Sequence, residues 1–536
     1  MFKRNRKPQA LPPIDHAAMP TLSDIPAYFA KRQPSAIATT FAARNTDWAT
    51  LHQRANQIAS ALAQQGVRPG DRVAFVGKGS DEFFEILFGA ARAGAVLCPI
   101  IWRLAAPEII NITRDCGARV LFVAPDQFDR VETFRAELPD TKLIGLEHGG
   151  DLTQFSVWRD LAPSKDTPTT VVPGDVALQL YTSGTTGLPK GVMLTHGNLL
   201  RGRAEAAATK MPWNEWESND VNLVPLPMGH IGGVGWAIVG YFNGARTVVQ
   251  PEFIPDAVLN AIEHEGVTKL FVVPTALHML LLHPRVRQID YSKLRHILYG
   301  ASPIALDLLR EATEVFGCGF CQQYGATETC GTIVYLPPED HDPAGNKRMR
   351  GAGLPMPGVE LKIVDRDGAS LPPDEVGEIV TRSAANMAGY WKQAAQTSDV
   401  LDADGWFRTG DAGYLDADGY LYIADRFKDM ICTGAENVYP NEVENAIFGH
   451  PAVQEVSVIG VPDERWGEAV KAIVVLKPGA AAAEADIIAF ARTRIGGFKV
   501  PKSVDFIDAL PRNPSGKILR RALRDPYWEG RERQIN

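Results

Sequence analysis

The chain has few cysteines, no long apolar run and no excess of basic charge. Six cysteines in 536 residues are too few for a disulfide-built scaffold. "CGFC" (Cys318 to Cys321) has the C-x-x-C form of redox motifs, but those open a helix, whereas "FGCGFCQQYG" reads as a strand running into a loop. Buried, reduced cysteines are expected, and no second pair of ligands is spaced for zinc. No apolar run reaches the roughly 18 to 20 residues of a membrane span. The start "MFKRNRKPQALPP" is basic but lacks the apolar stretch of a secretion signal. It reads as a short frayed arm, and a cytoplasmic location is expected. A net charge of -8 leaves no basic footprint for nucleic acid. A polyanionic ligand would therefore need a local concentration of donors.

What is present is a large, ordinary globular composition. At 536 residues the chain exceeds the usual limit of one core, so two or more folding units are expected. The first third alternates helical and strand patterns, as in "DWATLHQRANQIASALAQQG", "DRVAFVG", "SDEFFEILFGAARAG" and "AVLCPI". The alternation recurs at "PDAVLNAIEHEGVTKLFVVPTALHMLL" and predicts an α/β fold with a mainly parallel sheet. Beyond about residue 350 short strands and Gly/Asp turns take over, such as "LDADGYLYIADR". The last hundred residues read as a compact α+β unit, with helices at "NEVENAIFGH" and "EADIIAFART" and strands at "VQEVSVIGVP" and "KAIVVLKPG". The expected division is 1–427 and 428–536.

One stretch carries a chemical signature. "YTSGTTGLPKG" packs Thr182, Ser183, Thr185, Thr186, Gly184, Gly187, Lys190 and Gly191 together. Glycines let backbone N–H groups turn to an anion, hydroxyls donate to its oxygens, and the lysine supplies charge. The Walker spacing G-x-x-x-x-G-K-[ST] is absent, and both flanks, "VALQLY" and "GVMLTH", read as strands. The loop therefore joins two strands, and it is longer and richer in hydroxyls than a hairpin turn needs.

Further clusters follow in order: "PLPMGHIGG", "YGASPI", "QQYGATET", "WFRTGD", "DRFKDMICTGAENVYP" and "RNPSGKILRR". Taken with the loop, they resemble the adenylate-forming superfamily of acyl-CoA synthetases, luciferases and peptide-synthetase adenylation domains. The resemblance runs from about residue 25 to 525. It implies a large N-terminal domain of parallel βα layers with a small β-barrel-like subdomain. A small mobile α+β lid would follow. The implied reaction converts a carboxylate and ATP, with Mg²⁺, to acyl-AMP and pyrophosphate. Coenzyme A then displaces AMP. Bringing two anions together calls for positive charge and in-line positioning.

The resemblance assigns roles residue by residue. Thr182 to Lys190 would be the loop on the β- and γ-phosphates, with Thr185 and Glu328 on the metal. Gly300, Ala301 and Ser302 would border the adenine and the acyl pocket. Gln322, Gln323, Tyr324 and the adjoining Gly325 would hold the base, and Thr327 would touch the α-phosphate. Asp411 and Arg426 would bind the ribose. Lys517 would contact both the substrate carboxylate and the α-phosphate. His230 would orient or gate the acyl group, since an ionised carboxylate needs no general base. Lys428 would be the pivot of the lid. Gly434 and Ala435 would approach the pantetheine tunnel, where many relatives have two glycines. Trp466, Phe498 and Lys502 would meet the nucleotide end of CoA, although both aromatics also fit a domain core.

Peptide-synthetase domains that select amino acids carry an aspartate near His230, and "PLPMGHIGGVGW" has none. A fatty, aryl or alicyclic acid without an α-amine is therefore expected, with Tyr299, Ser302, Thr329 and Cys330 as wall residues. Gly232 would leave room there and Trp236 would take some back. Three rival readings are a ligase delivering to a carrier protein, a luciferase-like oxygenating enzyme and a non-catalytic acyl or nucleotide binder. Intact Thr185, Glu328, Asp411 and Lys517 argue against the last. A homodimer is compatible with base rates.

Overall fold

The computed structural model describes residues 12–147, 150–166, 169–182, 189–302, 304–342, 344–426, 429–433, 436–463, 465–512 and 517–529. The alternating patterns of the first third build an eight-stranded sheet. Its middle is parallel, with Val96–Ile100, Arg72–Val76, Val120–Val123 and Lys142–Gly145 side by side. Beyond Arg72 and Lys142 at their starts these strands are apolar, as expected where helices cover both faces. Local chemistry sets the helix ends. The Ser80 hydroxyl accepts from Phe83 N–H to start Asp81–Ala93, and Asp47 does the same for Trp48–Gln64 through Thr50.

A second, nine-stranded sheet has a parallel centre of His296–Gly300, Lys269–Val272, Val221–Val224, Arg246–Val249 and Ile37–Phe41. The two sheets enclose a core in which Trp48, Phe29 and Tyr241 meet. Ring centroids lie 4.6 Å apart for Phe29–Trp48 and 5.9 Å for Trp48–Tyr241. The Tyr241 hydroxyl finds Thr39 Oγ1 at 2.7 Å, as a buried hydroxyl must.

After residue 350 the expected small β unit forms as a four-stranded antiparallel sheet of Glu360–Val364, Gly377–Arg382, Trp406–Leu415 and Leu421–Arg426. The C-terminal segment makes a separate five-stranded sheet covered by Pro440–Phe448 and Glu484–Arg492, with its own core around Ile431, Val458 and Val474. A final helix, Arg520–Trp528, carries Pro526 inside it and has no counterpart in the sequence reading. "GFCQQYGA" is a strand, and none of the six cysteines is in a disulfide. Among the described residues no helix is long and apolar enough to cross a membrane.

Three histidines of the large domain are buried neutral. Burial lowers the pKa of His196, His230 and His341 to about 4, against 6.5 unfolded. The unfolded chain therefore binds more protons between these values. The stability these groups contribute is complete above about pH 6.5 and is lost as pH falls toward 4. At pH 5 the loss is on the order of 2 kcal/mol for each. The melting temperature is expected to drop by about 5 °C or more between pH 7 and pH 5. A scan that stays level over that range contradicts the assignment.

Candidate active site

The glycine-rich loop does join two strands. Val176–Thr182 and Lys190–Thr195 are antiparallel, and Thr182 pairs with Lys190 across the base of the loop. Ser183, Gly184, Thr185, Thr186 and Gly187 lie outside the described residues. The short strand Gly389–Tyr390 adds to the same sheet, with Tyr390 opposite Val192. Its ring lies under the Lys190 ammonium, 4.8 Å from the centroid, a favourable cation–π distance. The Tyr390 hydroxyl donates to Glu328 Oε1 at 3.1 Å. Burial and then Glu328 hold the Tyr390 pKa well above the ordinary phenol value, so it remains a donor. Met387 N–H fixes the Glu328 carbonyl at 2.7 Å. The carboxylate expected at the metal and the lysine of the phosphate loop are thus tied through a tyrosine that sequence reasoning passed over. Its only signal was an aromatic beside Gly389.

The second corner lies at the carboxyl end of the nine-stranded sheet, where ligands of α/β proteins collect. His296–Gly300 runs parallel to Gly319–Ala326, pairing Tyr299 with Gln322 and Gly300 with Gln323. A Cβ on Gly300 would lie 2.1 Å from the Gln323 carbonyl oxygen, and one on Gly325 would lie 1.8 Å from that of Gly331. Only glycine permits these approaches. Ala301 adopts φ 69°, an uncommon left-handed conformation just before Ser302. Thr329 Oγ1 accepts from Ala326 N–H and donates to the Gly331 carbonyl, both at 2.8 Å. This clamps the turn that presents Thr327 and Glu328.

The Tyr324 hydroxyl donates to Asp411 Oδ2 at 2.7 Å, joining the base-stacking and ribose-binding candidates. Asp411 stands opposite Arg426 in strand register, which brings the two proposed ribose residues together in the backbone. Gln323 departs from expectation. Its side chain points to the other face of the strand, bonded to Thr332 and to Cys321 Sγ. Its carboxamide is therefore not on the side of Gln322 and Tyr324, a consequence of the two-residue strand period.

His230 precedes the helix Ile231–Phe242. Its Nε2 is buried and has no hydrogen-bond partner among the described residues. Burial first, then the charges of Lys517 and Arg103, lower its pKa to about 4. A neutral ring at physiological pH fits an orienting role. The charge of Lys517, from the far end of the chain, is thus felt at His230. Behind His230 the surroundings are apolar. A Cβ on Gly232 would contact Phe271 Cε1 at 3.2 Å. Trp236 packs 6.2 Å from Phe271 and spends its Nε1–H on the Leu223 carbonyl at 3.0 Å.

Tyr299 and Thr329, read as wall residues, have no exposed surface, and their hydroxyls serve internal bonds. Arg203, which the sequence did not flag, reaches the Gly235 and Cys330 carbonyls at 3.4 and 3.5 Å. It adds a cation to this wall.

In the C-terminal domain, Gly434 and Ala435 lie outside the described residues, as does Lys428. Trp466 is 42% exposed and Phe498 43%, so neither is a core residue. Arg465 sits 4.6 Å from the Trp466 ring and Lys499 5.4 Å from the Phe498 ring. Lys502 is exposed, with its backbone N–H bonded to the Val470 carbonyl.

Among the described residues no group of three or more His, Cys, Asp or Glu could hold a metal by itself. Glu328 still suits Mg²⁺, which binds through one or two carboxylates together with substrate phosphates. One of its oxygens takes the Tyr390 hydroxyl, and no described contact involves the other.

Known proteins resemble this chain in sequence and fold. The AMP-binding enzyme family model matches residues 27–391, and the AMP-binding enzyme C-terminal domain matches 442–517. The fatty acid–[acyl-carrier-protein] ligase ScoC of Streptomyces coeruleorubidus is 43% identical, over 98% of this chain and 99% of its own. A feruloyl-CoA synthase of an Amycolatopsis species is 38% identical over 94% and 98%. The crystal structure of the anthranilate CoA ligase AuaEII with anthranoyl-AMP has a TM-score of 0.88 at 28% identity, covering 96% and 99%.

Proposed function

The chain belongs to the AMP-binding enzyme family, and from that premise we propose how its residues divide the work. The protein is an AMP-forming acid–thiol ligase that uses ATP. A carboxylate oxygen attacks the α-phosphorus of ATP, the bond to the β-phosphate oxygen breaks, and acyl-AMP and pyrophosphate form. The thiol of the acceptor then attacks the acyl carbon, AMP leaves, and the thiol proton passes to solvent.

The observation that carries this reading is the hydrogen bond that joins Tyr324 to Asp411, with the charge of Lys517 felt at His230. Lys517 would supply the cation where carboxylate and α-phosphate approach. Tyr324 stacks on the base and Asp411 accepts from the ribose hydroxyls beside Arg426. Gly300, Ala301 and Ser302 line the crease between nucleotide and acyl group. Thr182, Lys190 and the hydroxyls between them cradle the outer phosphates, and Thr327 contacts the α-phosphate. Thr185 and Glu328 would hold Mg²⁺, which neutralises phosphate charge when bound. We place the boundary between the large domain and the lid at Lys428 and the site of action in the cytoplasm. Acid-dependent exchange of labelled pyrophosphate into ATP tests the first half-reaction, and its absence sinks this reading.

Free CoA is the proposed acceptor. The exposed Trp466 and Phe498, with Lys502, suit an adenine ring and phosphates. Delivery to a carrier protein is the second reading, favoured by the likeness to ScoC. The two separate on one measurement. If CoA outpaces pantetheine by about tenfold or more, the nucleotide end is being bound. If only a pantetheinylated carrier protein is acylated, the second reading holds.

The acid is expected to lack an α-amine. The surroundings behind His230 are Trp236, Phe271 and Gly232, and Arg203 adds like charge. A buried ammonium would find no partner there, at a cost of several kcal/mol. An apolar acid should exceed the matching α-amino acid in kcat/KM by about 10³-fold or more. A higher value for the amino acid overturns this assignment.

A further inference from the structure

Tyr299 lies in the strand His296–Gly300 and has no exposed surface. Its hydroxyl is 3.2 Å from Gln322 Oε1 and 3.0 Å from His341 Nε2. On its other side, His341 Nδ1 is 2.9 Å from the Pro337 carbonyl oxygen. A carbonyl oxygen only accepts, so Nδ1 carries the ring proton. The ring is neutral, because burial lowers its pKa to about 4. Nε2 is then a bare acceptor, and it takes the single proton of the Tyr299 hydroxyl.

That proton cannot also serve a carbonyl of Gln322. The two ends of a carboxamide have the same shape, and their partners decide which is which. The Gln322 nitrogen therefore faces Tyr299 and donates to its oxygen. The Gln322 carbonyl oxygen is turned outward. Gln322 is half-buried, at the carboxyl end of the parallel strands, opposite Tyr299 in register and on the same strand face as Tyr324. This is the crease that the preceding section assigns to the base.

We propose that Pro337, His341 and Tyr299 form a one-way hydrogen-bond relay that sets the Gln322 carbonyl outward and so makes the site select a purine with an amino group at C6 over one with an oxo group. His341 and Tyr299 are positioning residues, since they act through Gln322. The proposal rests on the adenosine reading above. An amino group donates to the outward carbonyl, whereas an oxo group meets it lone pair to lone pair. Sites that hydrogen-bond one substrate and leave its analogue unpaired discriminate strongly, so ATP should exceed inosine triphosphate by about 10²-fold or more in kcat/KM.

His341→Leu removes the acceptor. The Tyr299 proton then turns to Gln322, whose carboxamide rotates and offers its nitrogen outward. The ATP-to-ITP ratio should fall by about 30-fold or more, with the ITP value itself rising. Titration calorimetry with the two nucleotides alone should show the same shift without turnover. His341→Asn, whose carbonyl can accept from Tyr299, should restore part of the ratio. If His341→Leu does not fold, Tyr299→Phe removes only the hydroxyl and should lower the ratio in the same direction. A ratio within about threefold of the parent in a folded variant, or an equal loss for both nucleotides, overturns the relay. A parent enzyme that neither binds ATP nor exchanges pyrophosphate would instead overturn the adenylation reading itself.

Discussion

Lys517→Ala is expected to abolish acyl-AMP formation while thioester formation from supplied acyl-AMP survives. In the first step a carboxylate must approach an α-phosphate, and two anions meet in a site where burial strengthens their repulsion. Lys517 is the cation proposed for that encounter, and its charge is felt at His230. Removing one group aimed at developing charge costs about 10² to 10³-fold in other enzymes. Here the loss should be at least that large, because the lysine acts on both reactants. The second step brings a thiol to a mixed anhydride and needs no such screening. Pyrophosphate exchange and CoA acylation from synthetic acyl-AMP, measured on the same preparation, separate the two. Near-normal exchange would remove Lys517 from the catalytic list.

Lys428→Pro is expected to split the half-reactions the other way. In the proposed reading, adenylation needs Lys517 at the acyl corner, and thioester formation needs that face withdrawn and the segment around Gly434 and Ala435 presented. One orientation cannot do both, so a few backbone torsions near the pivot must change. Proline holds φ near −65° and restricts the residue before it. Acyl-AMP should still form, while CoA acylation falls by about 10²-fold or more. A melting curve checks that the variant folds, and equal loss of both steps in a folded variant would sink the pivot.

Much of this was readable from residue types in order. A loop of glycines and hydroxyls between two apolar runs has few uses other than anion binding, and strands do flank it. "FGCGFCQQYG" reads as a strand running into a loop, and the strand Gly319–Ala326 is there, continuing past the point where the loop is expected. The absence of an acidic residue around His230 limits the acid whatever the packing. The strand readings hold because each depends on neighbours in the chain, whose spacing the sequence displays.

What only the tertiary structure decided concerns contacts between distant segments and the direction of side chains. Tyr390 reaches Glu328 across 62 positions, and His341 reaches Tyr299 across 42. No local pattern marks either pair, because sheet order and loop paths bring them together. The resemblance assigns Gln322 and Gln323 alike to the base, yet neighbours in a strand face opposite ways, so Gln322 shares the face of Tyr324 and Gln323 is tied to Thr332 and Cys321. Trp466 and Phe498 could have been core or surface by composition. Their exposure depends on which faces of the small domain its own helices cover. Sequence by itself determined the chemistry available, since side-chain types carry it. The fold decided which of those groups meet, because hydrogen bonds and charges act over a few ångströms of space rather than along the chain.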